Sequence, residues 1–437
     1  MESKSLLIEK LKTLPKGYLS RKVINGREYF YLQYKENGKV ISRYVPSYEL
    51  NDIKNQLAER EKIVKEIGEY NSSSKVMHSP SKRAKELSGY LMMGDTIVGE
   101  FEKGNVVSLD EAKCPLILKR TQSVEAFLKS RSIDSTRVNS RILKKYLGIE
   151  PVDDDHVVSL YVHGATITDN YWFKPKGSVL RYKDVMFFSD IYNEIALDGE
   201  MVIFPSAPRL TPQLTLIGSY EKCWRKINDD WWIYKKENED ELFSELLASS
   251  IASLLKIPTV KYEYDNGYIR SKNFATKYNF EPMSYLMGSN EKYLDVFNEL
   301  NNISKKIAKQ YLKLLFFDVI VHNIDRHNEN YGLLRDKETG KIVSLAPNFD
   351  NNLALLGFNK HLINQPSKDG FIAHFKRFVS QSKIVKDYYS KMSITHLEKK
   401  QIENVIDKIP IKKDKEQIAS YIESRYQYLL SFIKKAG

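Results

Sequence analysis

Between Gly17 and Val45, apolar and polar residues alternate in three short runs, GYLSRKVI, EYFYLQYK and VISRYV, each rich in aromatic side chains. A period of two predicts half-buried strands, and Asn25-Gly26 and Asn37-Gly38 between the runs supply the positive φ of tight hairpin turns. After Pro46 the period changes. Leu50, Ile53, Leu57, Ile63, Val64 and Ile67 recur at near-helical spacing with charges between them, which predicts an amphipathic helix from Ser47 to about Glu69. Residues 1–72 therefore read as an accessory module, a three-stranded meander followed by a helix. The polar, proline-interrupted stretch from Asn71 to Pro80 reads as a linker, placed at 73–84.

A larger unit follows. YLMMGDTIVGEFEKGNVVSL predicts a β-hairpin, Val124–Leu147 one or two helices, Val157–Phe204 further strands and Leu242–Leu255 a helix. Ser304–Val321 and nearly everything after Phe371 are helical in pattern. Strands first and helices later predict an α+β fold, with a β-rich lobe at 85–285 and a helical lobe at 286–437. A chain of 437 residues also exceeds what one hydrophobic core holds, so several domains are expected.

Lys plus Arg number 68 against 56 Asp plus Glu, a net charge of +12 that suits acidic partners such as nucleotides or nucleic acid. Two cysteines, Cys114 and Cys223, exclude a disulfide framework and a four-cysteine metal site. No run approaches the roughly 18 apolar residues of a membrane span, so a cytoplasmic protein without membrane contact is expected. Walker-type, His-Glu-x-x-His and G-x-S-x-G motifs are absent from the sequence.

The chemistry concentrates where an apolar helix runs into a polar loop, Phe317-Asp-Val-Ile-Val-His322-Asn-Ile-Asp325-Arg326-His327-Asn-Glu-Asn330. Tyr331–Leu345 then reads as strand, turn, strand, and Phe349-Asp350 follows. An Asp, an Asn five residues on and a second Asp after a hairpin is the layout of phosphoryl transfer. Asp325 orients or accepts the acceptor's hydroxyl proton, while Asn330 and Asp350 offer hard oxygens to Mg²⁺ on the nucleotide phosphates. Upstream, Gly218, Ser219 and Lys222 form a candidate phosphate-covering turn. Trp231-Trp-Ile-Tyr-Lys235-Lys236 is a strand ending in lysine. Either lysine can reach phosphate; Lys235 is favoured because it shares a face with Trp231 and Ile233. Glu245, on the next helix, is its expected carboxylate partner.

Asn323-Ile-Asp325-Arg326-His327-Asn-Glu-Asn330 resembles the N-x-D-x-H-x-x-N loop of the HipA family of bacterial serine/threonine kinases. Gly218-Ser-Tyr-Glu-Lys222 resembles the family's G-x-Q-x-K nucleotide loop with Tyr in place of Gln. The likeness spans about 85–437, is strongest over 212–352, and leaves out the N-terminal module. It implies a bilobal, protein-kinase-like fold, ATP and Mg²⁺ as cofactors, Asp325 and His327 as catalytic residues, Asn330 and Asp350 as metal ligands, and Lys235 on ATP. It also implies autophosphorylation at Thr215 or the nearby Ser219, a protein substrate such as a translation factor, and an antitoxin partner. The loop is similar as well to those of lipid and antibiotic kinases, so a lipid or small-molecule kinase is one alternative. The other is a nucleotide-sensing regulator that contacts DNA through the basic, aromatic module 1–72.

Overall fold

The computed structural model describes residues 10–11, 13–24, 27–36, 39–72, 87–133, 159–186, 196–197, 211–215 and 221–435. The two Asn-Gly dipeptides, residues 73–84 expected as a linker, residues 134–147 expected to be helical, most of 187–204, and Gly218 and Ser219 lie outside these residues.

The N-terminal meander is antiparallel, β1 (Tyr18–Ile24), β2 (Arg27–Glu36) and β3 (Lys39–Val45), in spatial order β1-β2-β3. Ile24 pairs with Arg27 and Glu36 with Lys39, so each connection is two residues long, as the Asn-Gly dipeptides require. Alternation sorts the side chains. Leu19, Phe30, Leu32, Tyr34 and Val45 share the face that packs on Leu50, Ile53 and Leu57 of α1 (Ser47–Ser72).

The expected hairpin after the linker is a three-strand meander, β4 (Gly89–Met93), β5 (Thr96–Glu102) and β6 (Asn105–Leu109), extended by β7 (Tyr171–Pro175) into a sheet of order β6-β5-β4-β7. Two short helices, α2 (Leu116–Thr121) and α3 (Val124–Lys129), follow β6, and α4 (Tyr182–Val185) follows β7. A third sheet holds β8 (Lys222–Ile227), β9 (Asp230–Lys235), β10 (Tyr262–Asp265) and β11 (Tyr268–Lys272) in the order β10-β11-β9-β8. Between β9 and β10 runs α5 (Glu239–Leu254). It starts three residues before the expected Leu242 because Asn238 and Glu241 build a capping box that satisfies its first backbone N–H groups.

The fourth sheet joins the lobes. Its strands are β12 (Tyr278–Pro282), β13 (Gly332–Asp336) and β14 (Ile342–Leu345), so β12 pairs with β13 across the boundary expected at 285. Helices α6 (Met283–Met287), α7 (Tyr293–Ile303) and α8 (Lys305–Val321) fill the interval, and α9 (Gly370–Ser380), α10 (Lys383–Ser390), α11 (Lys399–Ile406) and α12 (Lys415–Lys435) complete the helical part. The architecture is α+β, β-rich before α7 and helical after it except for the β13–β14 hairpin. No helix among the described residues is long and apolar enough to cross a membrane.

One buried ion pair ties the early β-rich segment to this joining sheet. Arg335 on β13 donates to Glu281 on β12 at 2.7 Å and to the carbonyls of Cys114 and Ala112 at 2.7 and 2.6 Å. The other oxygen of Glu281 accepts the Leu116 N–H at 2.7 Å. Removing one member strands the other without compensation in a dry interior. Arg335→Ala is expected to lower unfolding free energy by about 3–5 kcal/mol, read from denaturant titration.

Candidate functional site

Helix α8 carries the polar loop 322–330 to its place. Its C-terminal half is buried, and it closes at His322, which adopts left-handed φ of 54° at the C-cap and turns the chain sharply into the loop. The His322 ring lies so close to Gly357 that a Cβ there would sit 2.4 Å from it. Burial lowers the His322 pKa to about 4, helped by Arg425, so the ring is neutral at physiological pH.

Arg326 organises the loop from below. Its guanidinium, buried, donates to both carboxylate oxygens of Asp318 at 3.1 and 2.9 Å and to the side-chain oxygens of Asn348 and Asn351 at 2.8 and 2.7 Å. It also donates to the carbonyls of Asn330 and Phe349, both at 2.7 Å. One planar, fully used donor set thus fixes the strand-end segment 348–351 against the loop 326–330. Asp325, Asn330 and Asp350 consequently line one cleft. Within it the Asn330 amino group donates to the Asp325 carbonyl at 2.9 Å and its carboxylate at 3.3 Å, which leaves the carboxamide oxygen as the ligand Asn330 can offer.

The opposite wall comes from β8 and β9. Lys222 and Lys235 are cross-strand partners in the register, both buried and both lining the cleft. Lys236 turns the other way, 3.8 Å from Glu221. The Lys235 ammonium contacts Asp350 and stands 3.9 Å from Glu237. Glu245 lies within the electrostatic reach of Lys235 and has a second partner besides. Its carboxylate accepts the Asn351 N–H at 2.9 and 3.0 Å, so it braces the backbone next to Asp350, and Lys235 finds its ion pair in Asp350 itself. Asp350 has left-handed φ of 59° and donates its N–H to the Tyr262 hydroxyl at 3.1 Å.

Charge sets the protonation states. Burial alone would raise the Asp350 carboxyl, but Lys235, Lys222 and Arg326 outweigh it and hold its pKa at about 2. Burial is the first cause pushing Glu237 up to about 8, with Glu245 and Asp350 adding to it against Lys235. Both Glu237 oxygens are buried without a hydrogen-bond donor, which a neutral carboxylic acid tolerates better than a carboxylate. Asp325 is also raised, by burial first and by Asp350, against the pull of His327 3.9 Å away.

The cleft has a volume of 410 Å³. Beyond the charged end it is apolar, with Trp224, Ile233 and Val260 facing Phe274, Phe280 and Phe349, three rings within 5.3–5.5 Å of one another. Thr215 also lines it. The Thr215 hydroxyl is buried and donates to the carbonyls of Pro212 at 2.8 Å and Ala165 at 3.3 Å. Asp325, His327, Asn330, Asp350, Lys222, Lys235 and Thr215 are thus brought together, and Glu245 stands directly behind them. Gly218 and Ser219 lie outside the described residues. Glu237, Arg326 and Asp318 have no assigned role in the sequence reading. Signals point to two of them: Glu237 keeps parity with Lys235, and Asp318 is the one acidic residue of α8, set among its apolar last turns.

Residues 2–55 match the model of a domain of unknown function, DUF6788. No curated protein matches the chain. Among solved structures, the chain is similar to the Helicobacter pylori proinflammatory kinase CtkA at 19% identity, covering 49% of this chain and 93% of that one with a TM-score of 0.40. It is also similar, at 14% identity and a TM-score of 0.43, to a chain of the Shewanella oneidensis MR-1 toxin–antitoxin complex of HipA, HipB and its operator DNA, covering 79% of this chain and 96% of that one.

Glu237 gives the site a measurable pH signature. A carboxyl titrating at about 8 in the folded chain and near 4.5 when unfolded binds more protons folded, so its contribution is full below pH 4.5 and is lost as pH rises towards 8. Glu237→Gln removes that loss. In thermal melts without nucleotide, the variant is expected to gain stability relative to the parent between pH 5 and pH 8; parallel curves would place Glu237 as an ordinary carboxylate.

Proposed function

We propose that the chain is a HipA-like serine/threonine protein kinase that moves the γ-phosphoryl group of Mg-ATP to a protein hydroxyl. The carrying observation is the buried pairing of Lys222 with Lys235. Two lysines directly opposite each other in the register bring like charges to one wall of the cleft, where they repel, and burial strengthens the repulsion. Asp350 offsets them in the free protein, and a polyphosphate offsets them more completely. The apolar end, walled by Trp224, Ile233, Val260 and the three phenylalanines, suits a nucleobase.

Hard oxygen donors fit Mg²⁺: Asn330 and Asp350 would hold it, and when bound it spreads the charge of the phosphates. The protein's own groups do the rest. Lys235 and Lys222 orient the phosphate chain, and the Arg326 network keeps residues 330 and 350 in register. Asp325, its pKa raised by burial, aligns the acceptor hydroxyl and takes its proton. A macromolecular acceptor is favoured by a second cavity of 520 Å³ that shares Ser130, Tyr285, His327 and Glu329 with the cleft and continues along Arg120, Ser284 and Glu291. The resemblance adds a translation factor as the acceptor and a small antitoxin as the restraining partner, and labelling in a lysate tests both.

Asp325→Asn is expected to reduce transfer from radiolabelled ATP by at least ~10²-fold while leaving nucleotide affinity near that of the parent. Asp350→Ala is expected to weaken Mg-ATP binding itself. Unchanged transfer in the first variant, or an unchanged titration in the second, overturns these roles. No transfer to any protein, with label appearing in a lipid or small molecule, favours a different acceptor class.

Autophosphorylation at Thr215 requires its hydroxyl to leave two carbonyl acceptors, so the segment 211–215 must move before it reacts. The product places about −1.5 to −2 charge beside the ATP phosphates and keeps the segment out. Mass spectrometry after incubation with Mg-ATP should find phosphate on Thr215 or Ser219; phosphate only elsewhere removes this form of regulation.

A further inference from the structure

The meander has a second face, and nothing described packs on it. Strand alternation and the β1-β2-β3 register place Tyr18, Ser20, Lys22, Tyr29, Tyr31, Gln33, Ser42 and Tyr44 together there, opposite the face that covers α1. Tyr18 and Tyr44, on the two outer strands, are 59% and 48% exposed, so aromatic, polar-tipped side chains face solvent at both edges of the sheet. The rings are held in a fixed pattern. Tyr44 meets Tyr29 at 6.1 Å and Tyr31 edge-on at 5.7 Å, the Lys22 ammonium lies 4.8 Å over the Tyr31 ring, and the Tyr18 hydroxyl donates to Gln33 at 2.6 Å.

Charge is divided across the sheet in the same sense. By register, the open face has basic residues at positions 22, 27 and 35 and no acidic one, whereas the helix-facing parity has basic residues at 21, 39 and 43 against acidic ones at 28 and 36. None of the eight residues placed on the open face is acidic. The carboxylate of Glu28 in β2 belongs to the other parity and pairs with Arg21 at 2.7 Å. A face of hydroxyls, a carboxamide and an ammonium on the positive side of the sheet complements a polyanion.

We infer that this sheet face is a docking surface for duplex DNA. Three strands at the usual spacing of about 4.8 Å make a slab about 10 Å across, which enters a major groove about 12 Å wide. The rings engage one another edge-on and carry Lys22 above them, so they present edges and hydroxyls, not the open flat platforms on which single-stranded bases stack. Lys22 and the tyrosine and serine hydroxyls contact phosphates and base edges, and Gln33, held by Tyr18, offers its amino group. This surface lies outside the kinase cleft and holds whether or not that cleft transfers phosphate.

The test uses the full chain and a fluorescent mixed-sequence 24-base-pair DNA duplex, followed by anisotropy at 50 and 200 mM salt. The parent is expected to bind the duplex and to weaken at least tenfold across that salt range. The double variant Lys22→Glu/Ser42→Glu, which changes the face by three charges, should bind at least tenfold more weakly at 50 mM salt with an unchanged thermal melt. Asn55→Glu/Lys62→Glu changes the exposed side of α1 by the same three charges and should stay within twofold of the parent. Equal loss in both double variants, no loss in the first, tighter binding of the single strand or of duplex RNA, or no binding at 50 mM salt would each overturn the assignment.

Discussion

A lysine ammonium enclosed with three acidic side chains, in a space mostly closed to water, is the constraint around which the candidate site is arranged. Ligand oxygens of Glu237, Glu245 and Asp350 come within 4.8 Å of one another, and they could not do so as three bare charges. Lys235 resolves part of that conflict by contacting Asp350. The Asn351 N–H resolves another part by donating to Glu245. Glu237, with no donor, takes the remaining route and holds its proton. Such a cluster persists only where the fold fixes each member, and here α5 and the 348–351 segment are tied together through Asn351, which the Arg326 guanidinium holds from the other side.

Legibility followed the length scale of the interaction. Strands β1 to β3 and helices α1, α5 and α8 are set by alternation, by helical spacing and by two-residue turns, all of which are local and visible in the chain. The β13–β14 hairpin between Asn330 and Asp350 was readable for the same reason. The pairing of β12 with β13 was not, because fifty residues of helix and loop separate partners that no local pattern links. Nor was β7, which joins the β4–β6 meander from beyond a long intervening segment.

Within the site, the residues named from the sequence are those whose chemistry is advertised by spacing: Asp325, Asn330 and Asp350. Their supports were hidden because their role depends on three-dimensional neighbours. Arg326 sits in plain view in the loop, yet only the fold shows that its guanidinium spans Asp318, Asn348 and Asn351 at once. Glu245 was expected to meet Lys235 through space by analogy with other kinases. The two groups do act on each other, but the backbone N–H of Asn351 also reaches that carboxylate, and the direct contact of Lys235 is with the carboxylate at 350, which also attracts Lys222.

The central claim is that these charges are arranged for a magnesium nucleotide, and calorimetric titration of the full chain with ATP, in magnesium and then in excess chelator, addresses it directly. Saturable binding that weakens at least tenfold when the metal is withdrawn is the predicted result. No saturation up to millimolar ATP, or binding indifferent to magnesium, would contradict it.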